Sequence, residues 1–358
     1  MEALIHSPGV GWQQTSTDLA QILGDNHGAA LGIFDSSTGA LLCQALLPSF
    51  GPDGDQSWGW LAYVATAPEA RRRGLATSLV SALLASGTGS PSVVGLYGSR
   101  AGVHMYETAG FRRCGTAQLV QRSAEIRPAV GSAAADGSVE RSAACSSLQR
   151  LRPADVITSG VAELDARVYG ADRSTTLARW AKSGMGWVLL DARGMARGRD
   201  SHGAQTRHVL SAQCTHWCMA LCAVQAKGYV LGRAIFPSGL FLGPLVACDP
   251  ADAEALLRAA LDAAPNDAPV QMLLPQVWTS PAAPSANSDG AGWTWDGCFE
   301  ASFVQGLVRR LGFERLGEPA QLMVRGSSAG VPWMRTWSQK EVSKGAARPF
   351  AATGYEFG

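Results

Sequence analysis

A mixed α+β fold built as two related domains in tandem is what the sequence predicts, and three observations predict it. The chain has 358 residues, which at about 150 residues per domain makes room for two. β-prone runs alternate with apolar stripes of helical period. The order strand, helix, strand, helix, Gly-Phe also occurs twice. "VATAP" (64–68) returns as "VACDP" (246–250), "SVVGLYG" is matched by "APVQMLLP", and "TAGF" (108–111) by "RLGF" (310–313). Two related folds account for such a repeat better than two unrelated ones.

The first unit spans residues 1–122. In "TSTDLAQIL" Thr15 or Ser16 caps a short helix, and "AALGIFDSSTGALLCQALL" reads as a hairpin with Ser37–Gly39 in its turn. "WGWLAYVAT" is a strand. Leu75, Leu79, Val80, Leu83 and Leu84 give the following segment a helical stripe. "SVVGLYG" is a further strand, and "AGVHMYETAGF" a short helix closed by Gly110. Residues 123–148, rich in Ala, Ser and Gly and without periodicity, read as a linker or insertion. The second unit, 149–358, carries two insertions, near 192–208 and 279–298.

Charge and cysteine usage exclude several classes. Lys+Arg 30 against Asp+Glu 29 leaves a formal charge of +1, so a general nucleic-acid or anionic-membrane binder is not expected. Eight cysteines in so long a chain read as reduced thiols rather than a disulfide framework. "MEALIHSPGV" has neither a basic n-region nor a long apolar core, and no run reaches the ~18 to 20 apolar residues of a span. A soluble, cytoplasmic protein is the expectation.

Against that balance, Arg71–Arg73 in "VATAPEARRRGLATSLVSALL" form a local basic cluster at a strand-to-helix turn. The first turn of a helix exposes N–H groups without intrahelical partners, and the macrodipole makes that end positive. Gly74 and Ala76 are small enough for a diphosphate to approach the backbone, and the arginines add charge-assisted contacts. Neither a Walker-A lysine nor Gly-x-Gly-x-x-Gly is present. The competing reading is a solvated arginine cluster on a loop.

"VATAPEARRRGLA" resembles the acyl-CoA motif of the GNAT acetyltransferases, with Arg71, Gly74 and Ala76 in the motif positions. "GSRAGVHMYETAGF" is similar to that family's late helix, with Tyr106 five residues before the phenylalanine. The resemblance covers roughly residues 10–120. It implies two tandem GNAT-like domains, each a mixed, mostly antiparallel twisted sheet flanked by helices. It implies acetyl-CoA as cosubstrate, its pyrophosphate on Arg71, Arg72, Arg73, Gly74, Leu75, Ala76 and Thr77. The pantetheine arm would pair with the strand edge at Val64, Ala65 and Thr66. Tyr106 would be catalytic, protonating the departing thiolate; the competing reading is core packing. Glu69, His104, Glu107, Asp53 and Asp55 are weighed as the base and none is assigned. A GNAT domain also opens with a strand, which here is missing or supplied from elsewhere.

The second copy departs from the first. Its equivalent turn lies in "ADAEALLRAAL", where no glycine permits close approach and Asp252 and Glu254 repel a phosphate. Asp249 and Pro250 read as an ordinary cap and first turn, and Val308 stands where Tyr106 stands in the first copy. "LDARVYGADRSTTLARW", "GPLVACDPADAEALL" and "RPFAATGYEFG" resemble the degenerate C-terminal domain of a tandem GNAT group, which implies a role in shaping the acceptor pocket or the domain interface. Asp172, Arg173 and Ser174 read as helix-capping residues.

"CTHWCMALC" sets Cys214, Cys218 and Cys222 at i, i+4, i+8, a buried stripe in preference to a metal site, so no metal is expected. "GWTWDG" (292–297) offers tryptophans that serve packing or line a pocket. The function read from all this is an acetyl-CoA-dependent N-acyltransferase whose acceptor is the amine of a small molecule or amino acid. The alternatives are a protein N-acetyltransferase and a non-catalytic acyl-CoA-binding regulatory protein. Oligomeric state is not legible.

Overall fold

The first hairpin closes because Asp35 satisfies its own turn. Its Oδ1 accepts from the N–H groups of Ser37 and Thr38 at 2.9 Å each, and Gly39 takes the φ of 70° that reverses the chain. Strands β1 (Ala29–Phe34) and β2 (Leu41–Leu47) flank it. The computed structural model describes residues 24, 28–51, 57–85, 91–124, 146–183, 185–191, 225–235, 239–265, 267–277, 306, 308–326 and 347–351. The helix expected in "TSTDLAQIL", most of the 123–148 linker, both insertions, Asp53, Asp55 and Cys214–Cys222 lie outside the described residues.

After β3 (Ser49–Phe50), the expected strand "WGWLAYVAT" forms as two, β4 (Trp58–Trp60) and β5 (Ala62–Thr66). A 3₁₀ turn at Pro68–Ala70 leads to α1 (Leu75–Ala85), β6 (Val93–Gly98), α2 (Val103–Thr108) and β7 (Arg112–Arg122). Leu79, Val80 and Leu83 of the predicted stripe are buried. The second half opens with β8 (Ser146–Arg150), then α3 (Asp155–Thr158), α4 (Val161–Tyr169), α5 (Ser174–Ser183) and β9 (Met185–Asp191). It continues through β10 (Ala226–Ile235), β11 (Gly239–Ala247), α6 (Pro250–Asp262) and β12 (Val270–Val277). Strands β13 (Glu314–Arg315), β14 (Ala320–Arg325) and β15 (Arg348–Ala351) complete it.

Strands β1-β2-β5 make a three-stranded sheet. The others share one sheet in the order β3-β4-β6-β14-β7-β12-β11-β10-β9-β8, with β13 on β7 and β15 on β11. Pairing is antiparallel except at β4/β6 and β11/β12 among the described strands. The fold is thus mixed α+β with a mostly antiparallel sheet.

The two halves are interleaved. β14, from the C-terminal part, lies between β6 and β7, while β7 lies between β14 and β12. The opening strand was expected to be missing or supplied from elsewhere, the second half being one source. Among the described residues the second half instead contributes at β6, and β1 pairs with β2 alone.

The sequence repeat is a repeat of geometry. Gly110 and Gly312 have φ of 88° and 79°. The N–H of Phe111 bonds the Tyr106 carbonyl at 3.0 Å, and that of Phe313 bonds the Val308 carbonyl at 3.0 Å. Both phenylalanines are buried. Glycine is required at both positions, because only the left-handed region lets the helix end and fold its next residue back inward.

Candidate functional site

Strands β4 and β5 begin beside β6 and then leave it. β4 pairs parallel with β6 from Trp58↔Val93 to Trp60↔Gly95, and the last link is the Leu61 N–H on the Gly95 carbonyl, 2.8 Å. Beyond Leu61, β5 pairs with β2 instead, while β6 keeps β14 on its other edge from Val94 to Gly98. The Leu46↔Ala62 and Gln44↔Ala65 pairings leave an extra residue in β5, and Tyr63 takes a φ of 55° there. Such a bulge bends the strand away from its neighbour. A wedge opens between β5 and β6, and among the described residues no strand pairs with the β5 edge that faces it. Val64, Ala65 and Thr66 lie on that edge.

At the end of β5 the chain makes the arginine turn. Ala67 and Ala70 are buried beneath it, Arg71, Arg72 and Arg73 are exposed, and Arg71 Nε bonds the Thr66 carbonyl at 3.3 Å. Arg72 and Gly74 have φ of 61° and 77°. A Cβ at Gly74 would meet nothing within 4 Å, so the glycine serves a backbone conformation and borders open space. The Gly74 carbonyl accepts the first bond of α1, from the Ser78 N–H at 3.0 Å. The N–H groups of Leu75, Ala76 and Thr77 thus form the first turn, which holds no acidic residue.

Tyr106 sits on α2 in the same buried cluster as Cys43, with Val64, Leu75 and Ala76 packed against it. Its ring packs edge-on to Phe111, centroids 6.0 Å apart, and glycines make its seat. A Cβ at Gly98 would stand 3.2 Å from Tyr106 Cδ2 and 3.3 Å from Met323 Sδ, and one at Gly102 3.0 Å from Cε2. Burial, with the Cys43 thiol next in importance, pushes the phenol well above its ordinary value of 10.0. Cys43 Sγ lies 3.3 Å from Thr66 Oγ1, and burial raises the thiol too. Strand edge, arginine turn and tyrosine therefore meet around one cluster. Sequence reasoning missed Cys43 and Met323. Cys43 was legible only as one member of an apolar strand run, and Met323 arrives on a strand more than 200 residues away.

None of the described base candidates is built into the wedge. Glu107 accepts from Arg113 Nε at 2.9 Å, and Glu69 and His104 are exposed.

The equivalent end of the second copy is closed. Asp249 Oδ1 accepts from the Asp252 N–H at 2.8 Å, with Pro250 in the first turn of α6. Asp252 is held by Lys227 Nζ at 3.2 Å. The capping role read for Asp249 is what the structure contains.

Arg173 requires a correction. Asp172 does cap, accepting from the Ser174 N–H at 2.9 Å, but the Arg173 side chain turns into the core. It bonds Asp165 through Nε at 2.9 Å and Nη2 at 2.7 Å and stacks 3.6 Å over the Tyr169 ring, while the Tyr229 hydroxyl also donates to Asp165. A forked guanidinium satisfying both carboxylate oxygens is what makes a fully buried charge pair tolerable. The eight-residue separation of Asp165 and Arg173 across a helix end left no sequence signal.

The model of the acetyltransferase (GNAT) family matches residues 10–111. A putative acetyltransferase from Pyrococcus horikoshii superimposes with a TM-score of 0.55 at 14% identity, covering 95% of this chain and 84% of its own. The likeness of fold therefore runs through both halves. A GCN5-related glucosamine N-acetyltransferase region of a fungal multi-domain GH3 beta-N-acetylglucosaminidase gives 0.52 at 8% identity, over 90% of this chain and 36% of that one. A tandem GNAT protein from the clavulanic acid biosynthesis pathway gives 0.47 at 14% identity, over 84% of each chain. No curated protein sequence matches. No helix among the described residues is long and apolar enough to cross a membrane, and they contain no cluster of metal-ligating side chains.

Proposed function

We propose that the chain is an acetyl-CoA-dependent N-acyltransferase that moves an acetyl group to the amine of a small molecule or amino acid. The observation that carries the reading is the wedge between β5 and β6 opening beside a helix start with three arginines, a glycine bordering open space and no acid. The residues present fit the cosubstrate. Arg71, Arg72, Arg73 and the amides of Gly74, Leu75, Ala76 and Thr77 would hold the diphosphate, and the edge of Val64, Ala65 and Thr66 would take the amide-bearing arm as an added strand. What acetyl-CoA supplies is an activated acetyl thioester.

Tyr106 holds a proton at its phenol oxygen. Because burial raises its pKa above 10.0, the group stays protonated across the working pH range. It would give that proton to the departing thiolate, acting as general acid. The second unit is read as degenerate, with a carboxylate-capped helix where the first has its anion turn, and as a wall of the acceptor site.

The test is Tyr106→Phe. The expected result is a fall in kcat of about a hundredfold or more with acetyl-CoA affinity kept within about twofold. The sign of the pH dependence comes from the raised phenol pKa. A group that holds its proton more tightly when folded loses stability for the protein only as pH rises past its unfolded value of about 10. Wild-type kcat is therefore expected to show no decline from Tyr106 ionisation below about pH 10, read from a pH–rate profile. Unchanged kcat in the variant would leave Tyr106 as packing.

A further inference from the structure

In the second half β11 and β12 separate as β5 and β6 do. They pair in parallel only at Leu240↔Val270 and Phe241↔Gln271. Through the VATAP/VACDP correspondence these match Trp58↔Val93 and Gly59↔Val94 of the first half. Beyond the divergence the two halves differ. In the second, β15 takes the freed edge of β11, antiparallel, with Leu245↔Ala351, Val246↔Pro349 and Ala247↔Arg348. It also lies against β12. Leu245, Val246 and Ala247 correspond to Tyr63, Val64 and Ala65, the edge that faces the first wedge. All three are fully buried, and backbone groups buried so deeply need partners.

We propose that the second unit contains a strand-accepting groove for an extended peptide, and that the chain's own residues 348–351 are its occupant. Main-chain pairing along β11 supplies the affinity, as when a peptide adds a strand to a sheet. The occupant sits where the repeat would seat the arm of a cofactor, which gives the second unit a further reason to bind none, besides its capped helix. The pairing does not depend on acetyl transfer in the first unit, so its test stands apart from that of Tyr106.

A chain ending at Ala347 is titrated with a synthetic peptide of residues 347–358, with a scrambled peptide as control. The expected result is saturable one-to-one binding to the shortened chain, at least about tenfold weaker binding to the full chain, and none by the scrambled peptide. Equal binding to both chains would overturn the proposal. So would no saturation by about 1 mM in a shortened chain that still unfolds cooperatively. Should the shortened chain not fold, the full chain carrying F350P and A351P is examined by hydrogen exchange, since consecutive prolines disfavour a paired strand. Protection at Leu245–Ala247 is expected to fall about tenfold while that at Leu240–Leu242 holds. Unchanged protection at Leu245–Ala247 would refute the idea.

Discussion

At Gly74 two demands coincide. Its φ of 77° suits the residue without a Cβ, and the space around the missing Cβ is open. Gly74→Ala adds backbone strain of about 1 kcal/mol and little else. Gly74→Glu adds in addition a carboxylate at the positive end of α1. Acetyl-CoA affinity measured calorimetrically is expected to drop by more than about tenfold in the glutamate variant and by much less in the alanine one. Similar affinity in all three proteins would mean that the arginines serve another purpose. This site was legible because glycine, arginines and helix start are contiguous. The Asp165–Arg173–Tyr229 network was not, because its members converge only after α4, α5 and β10 have packed.

Two helices at equivalent positions begin differently. α1 begins without a side-chain cap from an acid, whereas α6 begins with Asp249 accepting from the Asp252 N–H. Asp249→Ala is expected to cost about 1 kcal/mol in chemical denaturation, as removal of an N-cap does. Acetyl-CoA affinity should be unchanged, and a loss would place that helix in the binding site. The order of elements, the hairpin turn at Asp35 and both Gly-Phe closures were readable because each rests on residues a few positions apart. The break of "WGWLAYVAT" into β4 and β5 was not. Its cause is a change of partner, from β6 to β2, that no local propensity encodes.

At the scale of the molecule, the two halves share a sheet in which β14 and β7 are exchanged between them. The repeat in the sequence disclosed two related units but not this exchange, since strand pairing across some 200 residues leaves no periodic trace. The exchange also brings Met323 of the second half to the Tyr106 seat, so the candidate site is not the property of the first unit alone. Yet the two wedges differ: one opens beside an arginine turn, the other is filled by β15 and bordered by a capped helix. The proposed function therefore calls for one working cofactor site in the doubled fold. Calorimetric titration of the full chain with acetyl-CoA tests it most directly. Saturation at one molecule per chain is the predicted result; two molecules per chain, or none, would contradict it.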